Sequence, residues 1–120
     1  MKLSTTFLTA LAAVGYTYTI PQATVKTRFP KGMSISIPHD PGLSSVTFHI
    51  RINKKFDGIE DGQITANIKK PIDGLWFFKS KYTPIREGDI MYYWILAVHE
   101  GRTYNLIDQF FVFTHYQDGE

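Results

Sequence analysis

The sequence predicts an all-β protein in which two antiparallel sheets pack face to face. Three observations carry that expectation. Several short runs alternate apolar and polar residues with period two. Turn signals recur between them, at Pro30-Lys31-Gly32, Pro38 to Gly42, Asp57-Gly58, Asp61-Gly62, Asp73-Gly74, Gly88-Asp89 and Glu100-Gly101. No window sustains the apolar spacing of a helix.

Taken along the chain, "ATVKTRF" sets Val25 against Lys26 and Arg28, and "GMSISIP" sets Met33, Ile35 and Ile37 against Ser34 and Ser36. "SVTFHIRIN" alternates most cleanly, with Val46, Phe48, Ile50 and Ile52 on one side and Thr47, His49, Arg51 and Asn53 on the other. "ITANIK" turns Ile64, Ala66 and Ile68 inward and Thr65, Asn67 and Lys69 outward. "LWFF" and "QFFVFTHY" are aromatic on both faces, and Pro21, Pro30 and Pro38 suit strand ends or an edge. "MYYWILAV" has two apolar faces, Tyr92, Trp94, Leu96 and Val98 against Met91, Tyr93, Ile95 and Ala97. A sandwich strand needs only one apolar face, so the second is either covered by a loop or offered to a ligand. Composition does not say which face is which. Seven to eight strands with frequent turns describe an immunoglobulin-like antiparallel β-sandwich lacking that fold's disulfide, since the chain has no cysteine. A closed barrel is the alternative.

The length of 120 residues bounds the chain to one domain, and 20% charged with 43% hydrophobic residues places it among ordinary globular proteins. Aromatics at 15% allow a small domain to build its core from few residues, without cross-links. A net charge of +2 with scattered bases excludes a nucleic-acid argument. "MKLSTTFLTALAAVG" combines an early Lys, an apolar middle from Phe7 to Val14 and small residues at Ala13 and Gly15. That is the layout of a secretory signal peptide over residues 1–15, which makes Tyr16 the mature N-terminus and the protein secreted and extracellular. The run is shorter than the roughly 20 residues of a membrane span, as is "MYYWILAV". The domain is expected over residues 16–115, with 116–120 a frayed tail. Asn53, Asn67 and Asn105 open no glycosylation sequon.

Chemistry that needs a particular motif finds little support. His39, His49, His99 and His115 lack metal-site spacing, so no metal or other cofactor is expected. No nucleophile elbow or phosphate loop appears. Asp57, Glu60 and Asp61 would be the carboxylates of a glycosidase, but "FDGIEDG" reads more simply as a turn. A sugar site is easier to build: a ring covers the flat C–H face of a pyranose while amides, acids and guanidinium groups bond its hydroxyl rim. Thr47, His49, Arg51, Thr65, Asn67 and Lys69 line the wet face, and Trp94 or Tyr93 could join them.

The ordered set "YTIPQATV", "FPKGMSISIPHDPG", "FHIRINKKFDGIEDG", "DGLWFF", "GDIMYYW" and "GRTY" runs from Tyr18 to about Phe113, nearly all of the expected mature chain. It resembles the N-terminal glucan-binding domain of insect β-1,3-glucan recognition proteins, also called Gram-negative-bacteria-binding proteins, of carbohydrate-binding module family 39. The resemblance implies an immunoglobulin-like sandwich, no catalysis, and binding of β-1,3-glucan, preferably triple-helical, in innate sensing of fungi. Full-length members carry a glucanase-like domain downstream; this chain ends before one, so a short stand-alone member is expected. The family's site centres on a Trp that aligns with Trp94. Two positions depart from it: the usual acid is Asn67 and the usual base after the Tyr of "GRTY" is Asn105. A Trp usual in the strand of Asn67 is Ile64. Carboxamides still bond hydroxyls, but more weakly than charged groups, by about 1 kcal/mol each. The resulting expectation is that Trp94 stacks on a pyranose while Asn67, Asn105, Arg51, Thr65 and Tyr104 meet hydroxyls. The alternative is a protein-interaction module of the same fold that has lost strong glucan binding.

Overall fold

A computed structural model describes residues 17–114. The expected signal peptide (1–15), Tyr16, His115 and the expected tail (116–120) lie outside the described residues. Among the described residues seven strands follow one another: β1 (Thr24–Thr27), β2 (Lys31–Pro38), β3 (Leu43–Ile52), β4 (Ile64–Ile68), β5 (Leu75–Pro84), β6 (Ile90–His99) and β7 (Arg102–Val112). They form two separate antiparallel sheets, β1-β2-β5 and β4-β3-β6-β7, so the chain is a sandwich and not a closed barrel. The three-against-four order is immunoglobulin-like.

Alternation drives this arrangement. Met33, Ile35, Ile37 and Trp76 from the smaller sheet meet Val46, Phe48, Ile50, Met91, Tyr93, Ile95 and Ala97 from the larger one, all buried in one core. Ile20, Leu43, Ile85 and Phe113 close its ends. Each fully buried large apolar side chain contributes roughly 1.5–3 kcal/mol relative to exposure, which lets the domain stand without disulfides. "MYYWILAV" is therefore β6 with its odd-numbered positions plus Met91 in the core register, except Trp94's own face: Tyr92, Trp94, Leu96 and Val98 look away from the opposite sheet.

Two turns are set by backbone chemistry. β6 and β7 are joined by Glu100-Gly101, both with positive φ (51° and 78°), between the paired His99 and Arg102. That is the two-residue hairpin turn whose twist matches the flanking strands, and glycine at its second place avoids a Cβ clash. The Pro30-Lys31-Gly32 signal falls partly inside β2: Lys31 and Gly32 are strand residues, with a register shift between Lys31 and Met33.

Candidate sugar-binding face

The outer face of the four-stranded sheet is ordered in cross-strand rows. Thr65, His49 and Trp94 form one row on β4, β3 and β6. Asn67, Thr47, Leu96 and Asn105 form the next, across all four strands. Arg51, Tyr92 and Phe110 form a third. Asn67 and Asn105 thus stand at opposite edges, about 14 Å apart at three inter-strand steps of about 4.8 Å. Thr65, Asn67 and Asn105 are exposed, and the Asn67 amide donates to the Thr47 hydroxyl.

Trp94 lies on this face but is only 3% exposed, so its ring is not the open platform that the sequence led us to expect. The cause is the β3–β4 connection, which folds over the indole. Trp94 Nε1 donates to the Glu60 carbonyl at 2.9 Å. The ring's other neighbour is His49, stacked at 3.6 Å between centroids with planes 1° apart. His49 is itself 5% exposed. Its Nδ1 sits 3.2 Å from the Trp94 carbonyl, which can only accept, so Nδ1 carries the proton. Burial holds the imidazole below its ordinary pKa, offset in part by that hydrogen bond and by the charge of Asp61.

The connection is held in place by its own residues. Gly62 passes so close to β3 that a Cβ would sit 2.4 Å from the Ile50 carbonyl oxygen and 2.6 Å from the Ile50 nitrogen. The Gly62 amide donates to Thr65 Oγ1 at 3.1 Å, and Gln63 Oε1 accepts from the Ile52 amide at 2.6 Å. Arg51 donates to the Lys55 carbonyl at 3.2 Å, the Glu60 carboxylate at 3.0 Å and the Asp61 carbonyl at 3.4 Å. Its guanidinium lies 4.7 Å from the centre of the Phe56 ring. The Asp57 amide also donates to the Glu60 carboxylate, the first cause of that carboxyl's lowered pKa, with Arg51 adding to it. Arg51 is thereby committed to the loop and not presented to a ligand, and the "FDGIEDG" acids serve as loop chemistry.

Tyr104 is also corrected. It pairs with Ala97 and turns toward the core side, where its ring meets Tyr18 and His99 edge-on. Strand alternation forbids Tyr104 and its neighbour Asn105 from sharing a face. The sequence reading missed Phe110, which is 62% exposed on the outer face beside Tyr92, with ring centroids 6.5 Å apart. A register shift between Tyr93 and Ile95, with Asp108 at φ 59°, changes the phase of β7. Simple alternation from Asn105 would turn Phe111 outward; the bulge instead turns Phe110 and Val112 outward. Asp108-Gln109 in "LIDQFF" is the one local signal that could have suggested it. Phe56, Tyr92 and Phe110 line an open groove of about 530 Å³ on this face.

A disulfide-free sandwich with a wide sheet face of carboxamides, hydroxyls and an exposed ring defines a binding module. Comparison with known proteins gives the class a family. The CBM39 family model, described as a carbohydrate binding domain (family 32), matches residues 19–120, and the chain belongs to that family. It is 33% identical over 99 residues to Gram-negative bacteria-binding protein 3 of Drosophila melanogaster, covering 82% of this chain and 20% of that protein. It is 31% identical over 102 residues to Beta-1,3-glucan-binding protein 2 of Manduca sexta (85% and 21%). With Beta-1,3-glucan-binding protein of Tenebrio molitor it shares 34% over 95 residues (78% and 20%). The chain thus spans about a fifth of the length of these curated relatives. The crystal structure of a Br derivative of BhCBM56 shares the fold, with a TM-score of 0.57 at 16% identity over 82% of this chain and 96% of that one.

Proposed function

We propose that this chain is a secreted, non-catalytic pattern-recognition module that binds β-1,3-glucan, a fungal cell-wall polysaccharide, on the outer face of its four-stranded sheet. Membership of a carbohydrate-binding family and the glucan-binding names of its relatives support the ligand. The observation that carries the location is the juxtaposition of exposed Thr65, Asn67 and Asn105 with the exposed Phe110 ring on one face. Phe110, with Tyr92 beside it, covers a pyranose face. Asn67, Thr65 and Asn105 bond hydroxyls at spacings wider than one sugar, which suits a multi-chain, triple-helical ligand. Trp94 acts beneath the surface by fixing the loop that frames the groove. Open-ended repeats allow many modules to coat one fibre, so that avidity compensates a weak single site. The leader-like residues 1–15 support secretion, and no helix among the described residues is long and apolar enough to cross a membrane.

Titrating the isotope-labelled chain with a soluble β-1,3-glucan oligosaccharide tests the location. Amide shifts should cluster on Asn67, Asn105 and Phe110 and their neighbours. Shifts confined to the other sheet, or none at saturating sugar, would reject it.

A further inference from the structure

The opposite, three-stranded sheet carries a second feature that the glucan reading does not use. Lys26, Ser34 and Lys79 form one cross-strand row on its outer face, which sets Lys26 and Lys79 about 10 Å apart at two inter-strand steps. Lys81 follows Lys79 on the same face of β5. Arg28 and Lys31 flank the β1–β2 connection, where the Arg28 amide donates to the Gly32 carbonyl at 2.9 Å. These five cations surround a groove of about 910 Å³ whose lining includes no acid. Gly32, buried at the register shift with φ 113°, forms part of its floor; a Cβ there would lie 3.4 Å from the Lys81 carbonyl oxygen.

None of the five is ion-paired within the described residues, where the pairs are Arg51–Glu60 and His99–Asp40. The acids that flank them along the chain are Asp40, Asp73, Glu87 and Asp89; Asp40 pairs with His99, and Asp89 accepts from the Arg86 amide and from Asn53. Like charges gathered around one groove repel one another, and a bound polyanion offsets that repulsion. Outside the groove's lining, the exposed Tyr82 ring lies 5.3 Å from Lys31 Nζ. A cluster of cations with no acid in its lining matches a charged sugar, whose acid groups meet the bases.

We infer that the groove between β1, β2 and β5 is a second site that binds an acidic polysaccharide, a chain of sugars bearing carboxylate or sulfate groups, on the sheet opposite the proposed glucan face. The two sites face away from each other, so both ligands bind at once.

The test uses the whole chain and a fluorescent heparin oligosaccharide as the probe, read by anisotropy across a salt series. Wild type binds, and Lys79→Gln/Lys81→Gln binds about tenfold more weakly, with a salt slope smaller by about two. Lys69→Gln/Lys70→Gln, with the same change in charge at the end of β4, binds as wild type does. Thermal melts confirm that each variant is folded. Failure of wild type to bind, equal loss in both lysine pairs, or single-stranded DNA of matched charge binding as tightly as heparin would overturn the proposal. Retention of the Lys79→Gln/Lys81→Gln variant on insoluble β-1,3-glucan is expected, and it separates this site from the one on the other sheet.

Discussion

The imidazole of His49 lies parallel to the indole of Trp94, 3.6 Å away and tilted by 1°, and the pair is sealed under the β3–β4 loop. Trp94 is thus a residue of the sheet's outer face that supports the surface from below. Replacing it should be read first as a change in stability. Trp94→Ala is expected to cost about 3–5 kcal/mol in urea unfolding, as for other buried aromatics. Trp94→Phe keeps a ring against His49 but loses the donor to Glu60, and should cost less, about 1 kcal/mol beyond its smaller volume.

His49 should give the fold a pH dependence. Its folded pKa lies below the ordinary 6.5, so the unfolded chain takes up the proton first. Its contribution to stability is complete above pH 6.5 and is lost as pH falls toward the folded value. His49→Gln, which cannot titrate, should therefore show a flatter fall in melting temperature below pH 6.5 than wild type. Parallel curves would show that the stacked imidazole does not titrate there.

Gly62 sets how closely the loop approaches β3. Gly62→Ala places a methyl group against Ile50 backbone that cannot yield. The expected loss is about 2–3 kcal/mol, comparable to overpacking a core, and a red-shifted Trp emission as the loop lifts from Trp94. An unchanged spectrum and melting curve would mean that the loop has another resting place.

The resemblance to glucan-recognition domains, whose usual acid and base are Asn67 and Asn105 here, implies an improvable site. Asn67→Asp with Asn105→Arg should tighten glucan binding by about tenfold or more, since charge-assisted bonds to hydroxyls exceed those of amides. Isothermal titration with a β-1,3-glucan oligosaccharide reads the change. Unaltered affinity would remove both positions from the site.

Most of the fold was legible because period-two runs such as Val46 to Ile52 and Ile64 to Ile68 have only one stable orientation when one side is apolar. β6 was ambiguous, being apolar on both faces. Its resolution depends on a distant loop whose grip on Trp94 comes from a backbone carbonyl and a glycine's close approach, neither of which leaves a side-chain pattern. Thr65, Asn67 and Asn105 could be placed on one face by alternation alone. Tyr104 could have been rejected by the same rule. Phe110 could not be assigned, because the Asp108 bulge resets the phase of β7. Arg51 looked available from its strand position, yet "FDGIEDG" folds back and satisfies it.

Retention on insoluble β-1,3-glucan of wild type beside Phe110→Ala tests the role of the outer face most directly. Phe110 is well exposed, so its loss should leave the melting temperature nearly unchanged. The expected result is wild type in the pellet and folded Phe110→Ala largely in the supernatant. Equal retention of the two, or wild type left in solution, would contradict the assignment of that face to glucan.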